Sequence, residues 1–145
     1  MARRAREIIQ GSVVLDSQGL SLLLHEDERM IKRVEKARSE SFHIVVSAIT
    51  ILEAEPAGPA WGRCDFVLPR LYIEPVTREL TLLAAELLHR TGMRGHQHAI
   101  DSVVAATALR QVRPVILYTS DPDDLAALCA EPDRPKDERV IIIRV

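Results

Sequence analysis

The chain has 145 residues, 47% of them hydrophobic and 28% charged, the size and balance of one soluble globular domain with a single core. A formal net charge of −2 gives no global field to draw in nucleic acid, and 3% aromatic residues provide no stacking platform for single strands, so a pure nucleic-acid-binding module is disfavoured. No apolar run approaches the roughly 20 residues of a bilayer span, the basic start MARRAREIIQG lacks the apolar core of a secretory signal, and Cys64 and Cys129 show no metal-type spacing, which together favour a reducing cytoplasm.

Residues 1–11 read as a flexible basic arm ahead of a single domain. The β-branched run from Ser12 to Leu15 predicts a strand, and Leu20, Leu23, Leu24, Met30, Ile31 and Val34 at helical spacing predict a helix or broken helix pair to about Arg38. His43 to Ala48 predicts a second buried strand. Thr50-Ile-Leu-Glu53 then opens a stub of helix, cut short by Pro56, Gly58 and Pro59, with residues 56–69 as the least regular stretch. A short strand follows at Leu71 to Ile73, then a helix capped by Thr77 and closed by Gly92. Gly95 or His96 starts another helix to about Gln111. Val115 to Tyr118 is a strand, TSDPDDLAALC a turn and short helix, and Val140 to Val145 a last strand. Alternation of strands and helices gives an α/β class with a mainly parallel sheet covered on both faces.

Four acidic positions stand out against ordinary roles. Asp16 directly follows the first strand, at the carboxyl edge where such sheets place ligands, and is also a good helix N-cap. Glu53 follows Thr50 at capping-box spacing. Asp101 interrupts the apolar helix HAIDSVVAATAL, with Val104, Ala105 and Ala108 on its stripe, where an unpaired carboxylate is costly; a favourable position near the helix N-terminus is the plain alternative. Asp121, Asp123 and Asp124 follow the strand VILYT, with Asp121 a possible cap for a helix starting at Pro122. Gathered carboxylates repel unless a cation neutralises them, and Mg²⁺ or Mn²⁺ takes oxygen ligands and binds substrate phosphates.

With these motifs in place, the sequence resembles a PIN-domain ribonuclease of the VapC-like toxin type over nearly its whole length. VVLDSQGLSLLL, VSAITILEAE, HAIDSVVAATAL and LYTSDPDDL match the family's motifs in order, the third being the most specific. The resemblance implies a three-layer α/β/α sandwich and a divalent-metal-dependent endoribonuclease, in which an activated water attacks RNA. Asp16, Glu53, Asp101 and Asp121 would be the catalytic and metal-binding acids, with Asp124 a further metal ligand. Thr119 would support the site through its hydroxyl, and Ser17 would donate to Asp16 or to a metal-bound water. Homodimers and a small neutralising antitoxin are the partners implied. The chain departs from the family after Glu53, where AEPAGPAWG breaks a helix that usually continues toward the antitoxin groove.

His96 and His98 are extra features: a neutral imidazole could ligate Mn²⁺ or contact phosphate, and a solvated first helical turn is the plain alternative. Arg94, Arg63 and the Arg3, Arg4, Arg6 cluster are candidate phosphate contacts. Against the nuclease stand a PIN-like domain that has lost catalysis and serves as a binding or scaffold module, disfavoured because all four acids are present, and a phosphohydrolase or receiver domain, for which DSQG lacks the needed paired acids.

Overall fold

A computed structural model describes residues 8–56 and 58–145 of the chain. Its five strands, β1 (Gly11–Leu15), β2 (Phe42–Ser47), β3 (Tyr72–Glu74), β4 (Val115–Thr119) and β5 (Ile141–Arg144), form one sheet in the order β3-β2-β1-β4-β5. Every pairing is parallel, a stricter arrangement than the mainly parallel sheet expected. The three middle strands are short runs of Val, Ile and Leu because both of their faces are covered, which removes any polar alternation.

The two faces separate cleanly. Val13, Leu15, Ile44, Val46 and Tyr118 pack with residues of α1 (Ser17–Leu24), α2 (Glu28–Ser39) and α4 (Pro59–Val67). Val14, Val45, Val115 and Leu117 pack with α5 (Arg78–Thr91), α6 (Gly95–Leu109) and α7 (Pro122–Leu128). The result is the three-layer α/β/α sandwich.

Topology explains where a crevice must open. The chain steps from β1 to β2 to β3 in one direction along the sheet, then returns past β1 to lay down β4 and β5. Because parallel crossovers are right-handed, the reversal places the helices of the second half on the opposite face. The first helices therefore leave β1 and β4 toward opposite sides, and the carboxyl ends of these neighbours flank the switch point where open α/β sheets bind ligands. The six-residue helix α3 (Ala48–Glu53) follows β2 at this same edge and touches both α1 and α6.

Most boundaries match the sequence reading within a residue or two, including the broken helix pair, the Thr77 cap and the left-handed Gly92 at the end of α5. Three expectations need correction. Residues 56–69 are not mainly irregular: Pro59 occupies the first turn of α4, where its fixed φ suits a helix, and Ala60, Cys64 and Val67 bury one stripe of it. Gly58, at φ 55, makes the turn into this helix. Thr50 and Glu53 do not form a capping box, because α3 already starts at Ala48 after Ser47 and Thr50 lies inside it, fully buried. Gly11, assigned to the flexible arm, is the first residue of β1. The Arg3, Arg4, Arg6 cluster lies outside the described residues.

Candidate functional site

Asp16 is buried at the end of β1, 7% exposed, and both of its oxygens are engaged. Oδ1 accepts from the Gly19 amide at 2.9 Å, so the capping role is real. Oδ2 accepts from the Ser120 amide at 2.9 Å, across to the end of β4. The carboxylate thus spans the switch point, and each oxygen keeps lone-pair capacity for a further ligand.

The chain leaves β4 through Thr119, whose fully buried Oγ1 accepts from the Asp121 amide at 2.9 Å. Asp121 occupies the N-cap position of α7 through its backbone: its carbonyl accepts from the Leu125 amide at 3.1 Å, while its side chain caps nothing. Its exposed carboxylate is left free for other work. Asp124, half-buried, stands in the first turn of α7. A shallow depression of about 210 Å³ is lined by Asp121, Asp123 and Asp124 together with Ser120 and Arg144.

On α6, Asp101 lies half-buried at the border of the apolar stripe, which continues through Ser102 and from Val104 to Ala108. His98, one turn earlier, does not sit free in solvent. Its Nδ1 is 3.7 Å from Asp101 Oδ2 and 3.6 Å from Asp124 Oδ2, and the ring nitrogen is sealed from water without a hydrogen-bond partner. Partial burial, then the neighbouring Asp121 and Asp124 charges, push the Asp101 carboxyl above its ordinary value, with His98 acting in the opposite direction.

Glu53 reaches the cluster from the last position of α3. Partial desolvation raises its pKa first, followed by the charges of Asp101 and Asp16, with the neighbouring Ser17 opposing the rise. The hydrogen bonds to Asp16 come from the Gly19 and Ser120 amides and not from Ser17. Asp16, Glu53, Asp101, Asp121 and Asp124, supplied by four separate segments, are brought within electrostatic reach of one another. Among the described residues no lysine or arginine forms an ion pair with any of them. Among the described residues the one set of donors close enough to share a cation is His98, Asp101 and Asp124, whose ligand atoms lie within 4.8 Å of one another; Asp16, Glu53 and Asp121 reach this group through the repulsion of their charges, which a divalent cation would relieve.

The basic candidates divide differently. Arg63 is on α4 and pairs with Glu26 at 2.9 Å, engaged within the other helical layer. Arg94 precedes α6 and is exposed, as is His96 in its first turn. Arg144 was not singled out from the sequence. It stands opposite Thr119 in the parallel register, and its only signal is its place at the carboxyl end of a terminal strand. The two cysteines are free and buried, and burial pushes the Cys129 thiol up to about 12, so it is not a nucleophile. A wider cavity of about 490 Å³, lined by Arg90, Glu131 and Arg134 among others, contains none of the clustered acids.

The fold and site define a parallel α/β/α domain with a carboxylate cluster at its topological switch point. No protein-family model and no curated protein matches the chain. Among solved structures it is similar to a chain of VapBC2 from Rickettsia felis bound to a DNA fragment from its promoter, with a TM-score of 0.63 and 16% identity over 92% of this chain and 98% of that one. It is also similar to a chain of DNA-bound VapBC from Salmonella typhimurium, with a TM-score of 0.63 and 15% identity over the same shares, 92% and 98%. The shared architecture is the PIN-like fold. Among the described residues no helix is long and apolar enough to cross a membrane.

Proposed function

We propose that the protein is a divalent-metal-dependent endoribonuclease and the toxin of a type II toxin-antitoxin pair. The observation that carries the reading is the convergence of Asp16, Glu53, Asp101 and Asp121 on one sheet edge, where each feels or exerts the repulsion of the others. The likeness to chains of VapBC assemblies supports the same reading and suggests a small antitoxin protein as partner.

In this reading Asp16, Glu53, Asp101 and Asp121 hold Mg²⁺ or Mn²⁺, and Asp124 adds a further oxygen donor. A bound ion supplies positive charge at the scissile phosphate and makes a nucleophilic water available near neutral pH. The protein's part is placement. The Gly19 and Ser120 amides lock the Asp16 carboxylate, and the Thr119 hydroxyl fixes the turn carrying Asp121. Arg144, beside the acidic turn, is placed to meet a backbone phosphate and hold the RNA against the cluster. Homodimerisation and a cytoplasmic location belong to the same proposal.

Purified protein should cleave single-stranded RNA with Mn²⁺ or Mg²⁺, and cleavage should stop with a chelator and in Asp101→Asn. Cleavage that persists in both, or absence of any cleavage by the parent protein, would overturn the nuclease reading.

A further inference from the structure

We infer that His98 is a nitrogen ligand which, with Asp101 and Asp124, makes the acidic site select a first-row transition ion, Mn²⁺ in preference to Mg²⁺. The inference rests on the metal-binding reading above and adds to it a determinant of which metal is held.

His98 and Asp101 are three positions apart on α6 and share one face of its first two turns, while Asp124 comes from the first turn of α7. One ligand atom from each lies within 4.8 Å of the others. The two separations from Nδ1, 3.7 Å and 3.6 Å, exceed the usual hydrogen-bond range. They are close to the roughly 3.0–3.6 Å expected between adjacent donors that each sit about 2.1–2.2 Å from one ion. The imidazole thus stands off from both carboxylates at the upper end of the spacing found between donors to one cation.

Its nitrogen also distinguishes this group from a solvated acidic patch. Nδ1 is closed to water and makes no hydrogen bond, its two carboxylate neighbours standing just beyond that range, and a buried ring nitrogen without a hydrogen bond is costly unless something binds there. In the tautomer protonated at Nε2, Nδ1 offers a lone pair directed to ligation. Mg²⁺ prefers oxygen donors, retains its waters and gains little from imidazole, whereas first-row transition ions accept mixed nitrogen and oxygen sets. A site of carboxylates alone has weak grounds to discriminate between Mg²⁺ and Mn²⁺; an added imidazole provides one.

The test uses the purified 145-residue chain and two probe ions, read by calorimetric titration and by pulsed electron paramagnetic resonance on bound Mn²⁺. Mn²⁺ should bind at least about tenfold more tightly than Mg²⁺, and the spectra should show coupling to a directly bound ring nitrogen. In His98→Gln, which offers an oxygen instead, Mn²⁺ affinity should fall about tenfold while Mg²⁺ affinity stays within about twofold, and the nitrogen coupling should vanish. Equal loss for both ions, or no loss, overturns the role of His98 and leaves the acidic site standing. No nitrogen coupling in the parent protein overturns it without recourse to any variant. If the parent binds neither ion, the metal-site reading itself fails and this inference with it.

Discussion

The Ser120 amide donates to Asp16 Oδ2 at 2.9 Å, joining residues 104 positions apart across the switch point of the sheet. With the Gly19 amide on Oδ1, the carboxylate receives two backbone donors at once. An asparagine can accept on one side only and turns an amide donor toward the other N–H. Asp16→Asn should therefore cost about 1–3 kcal/mol of stability in chemical denaturation, in addition to losing cleavage. An unchanged denaturation midpoint would show that the two bonds contribute little.

Asp101 should behave in the opposite way. Its carboxyl accepts no backbone donor, and its charge is opposed by burial and by Asp121 and Asp124. Asp101→Asn should melt at or above the temperature of the parent protein without metal, while RNA cleavage falls by about 10²-fold or more. A marked fall in melting temperature would assign the carboxylate a structural hydrogen-bonding role.

The raised carboxyls also fix the sign of the pH dependence. Glu53 and Asp101 titrate in the folded protein above their ordinary values of 4.5 and 3.8. As pH climbs from those ordinary values through the raised ones, the native state holds protons that the unfolded chain has released, so these groups lower stability with rising pH. Below the ordinary values both states are protonated and the penalty is absent. The melting-temperature advantage of Asp101→Asn over the metal-free parent should therefore grow from about pH 4 toward neutrality. Added Mn²⁺ should stabilise the parent increasingly over the same window, because ligation requires the deprotonated carboxylates. A thermal shift series with and without the ion measures both trends.

Thr50 gives a stability prediction tied to a single hydroxyl. It is fully buried in α3, and its Oγ1 has no hydrogen-bond partner. Thr50→Val keeps the shape and removes the unpaired group, so the protein should gain about 1 kcal/mol in denaturant melts with RNA cleavage unchanged. A loss of stability would mean that the hydroxyl is satisfied by bound water.

Metal choice follows from His98, as argued above: His98→Gln should narrow the preference for Mn²⁺ over Mg²⁺ in calorimetry while leaving the folded state intact by circular dichroism.

Much of this architecture was already written in local patterns. Short Val and Ile runs ending in acids, the Thr77 and Gly92 punctuation of α5, and the acid within the small-residue helix α6 mark strands, helices and four of the clustered carboxylates, because periodicity and capping are local properties of a chain. Pro59 misled that reading, since proline at the first turn of a helix and proline in a loop look alike until the stripe Ala60, Cys64, Val67 finds a surface to cover. The Thr50-x-x-Glu53 spacing misled it as well: where α3 begins depends on how β2 ends against its neighbours.

Residue types and their order along the chain thus determined the alternating α/β pattern and the supply of acids. Tertiary structure decided which functions those acids share. The reversal of strand order brings Asp16 to Ser120, and packing of segments distant in sequence turns Arg144 toward the acidic turn, ties Arg63 to Glu26, and encloses His98 between Asp101 and Asp124. The physical reason is range: helix and strand signals act over a few residues, whereas repulsion and ligation depend on distances that exist only after segments far apart in sequence have packed around one crevice.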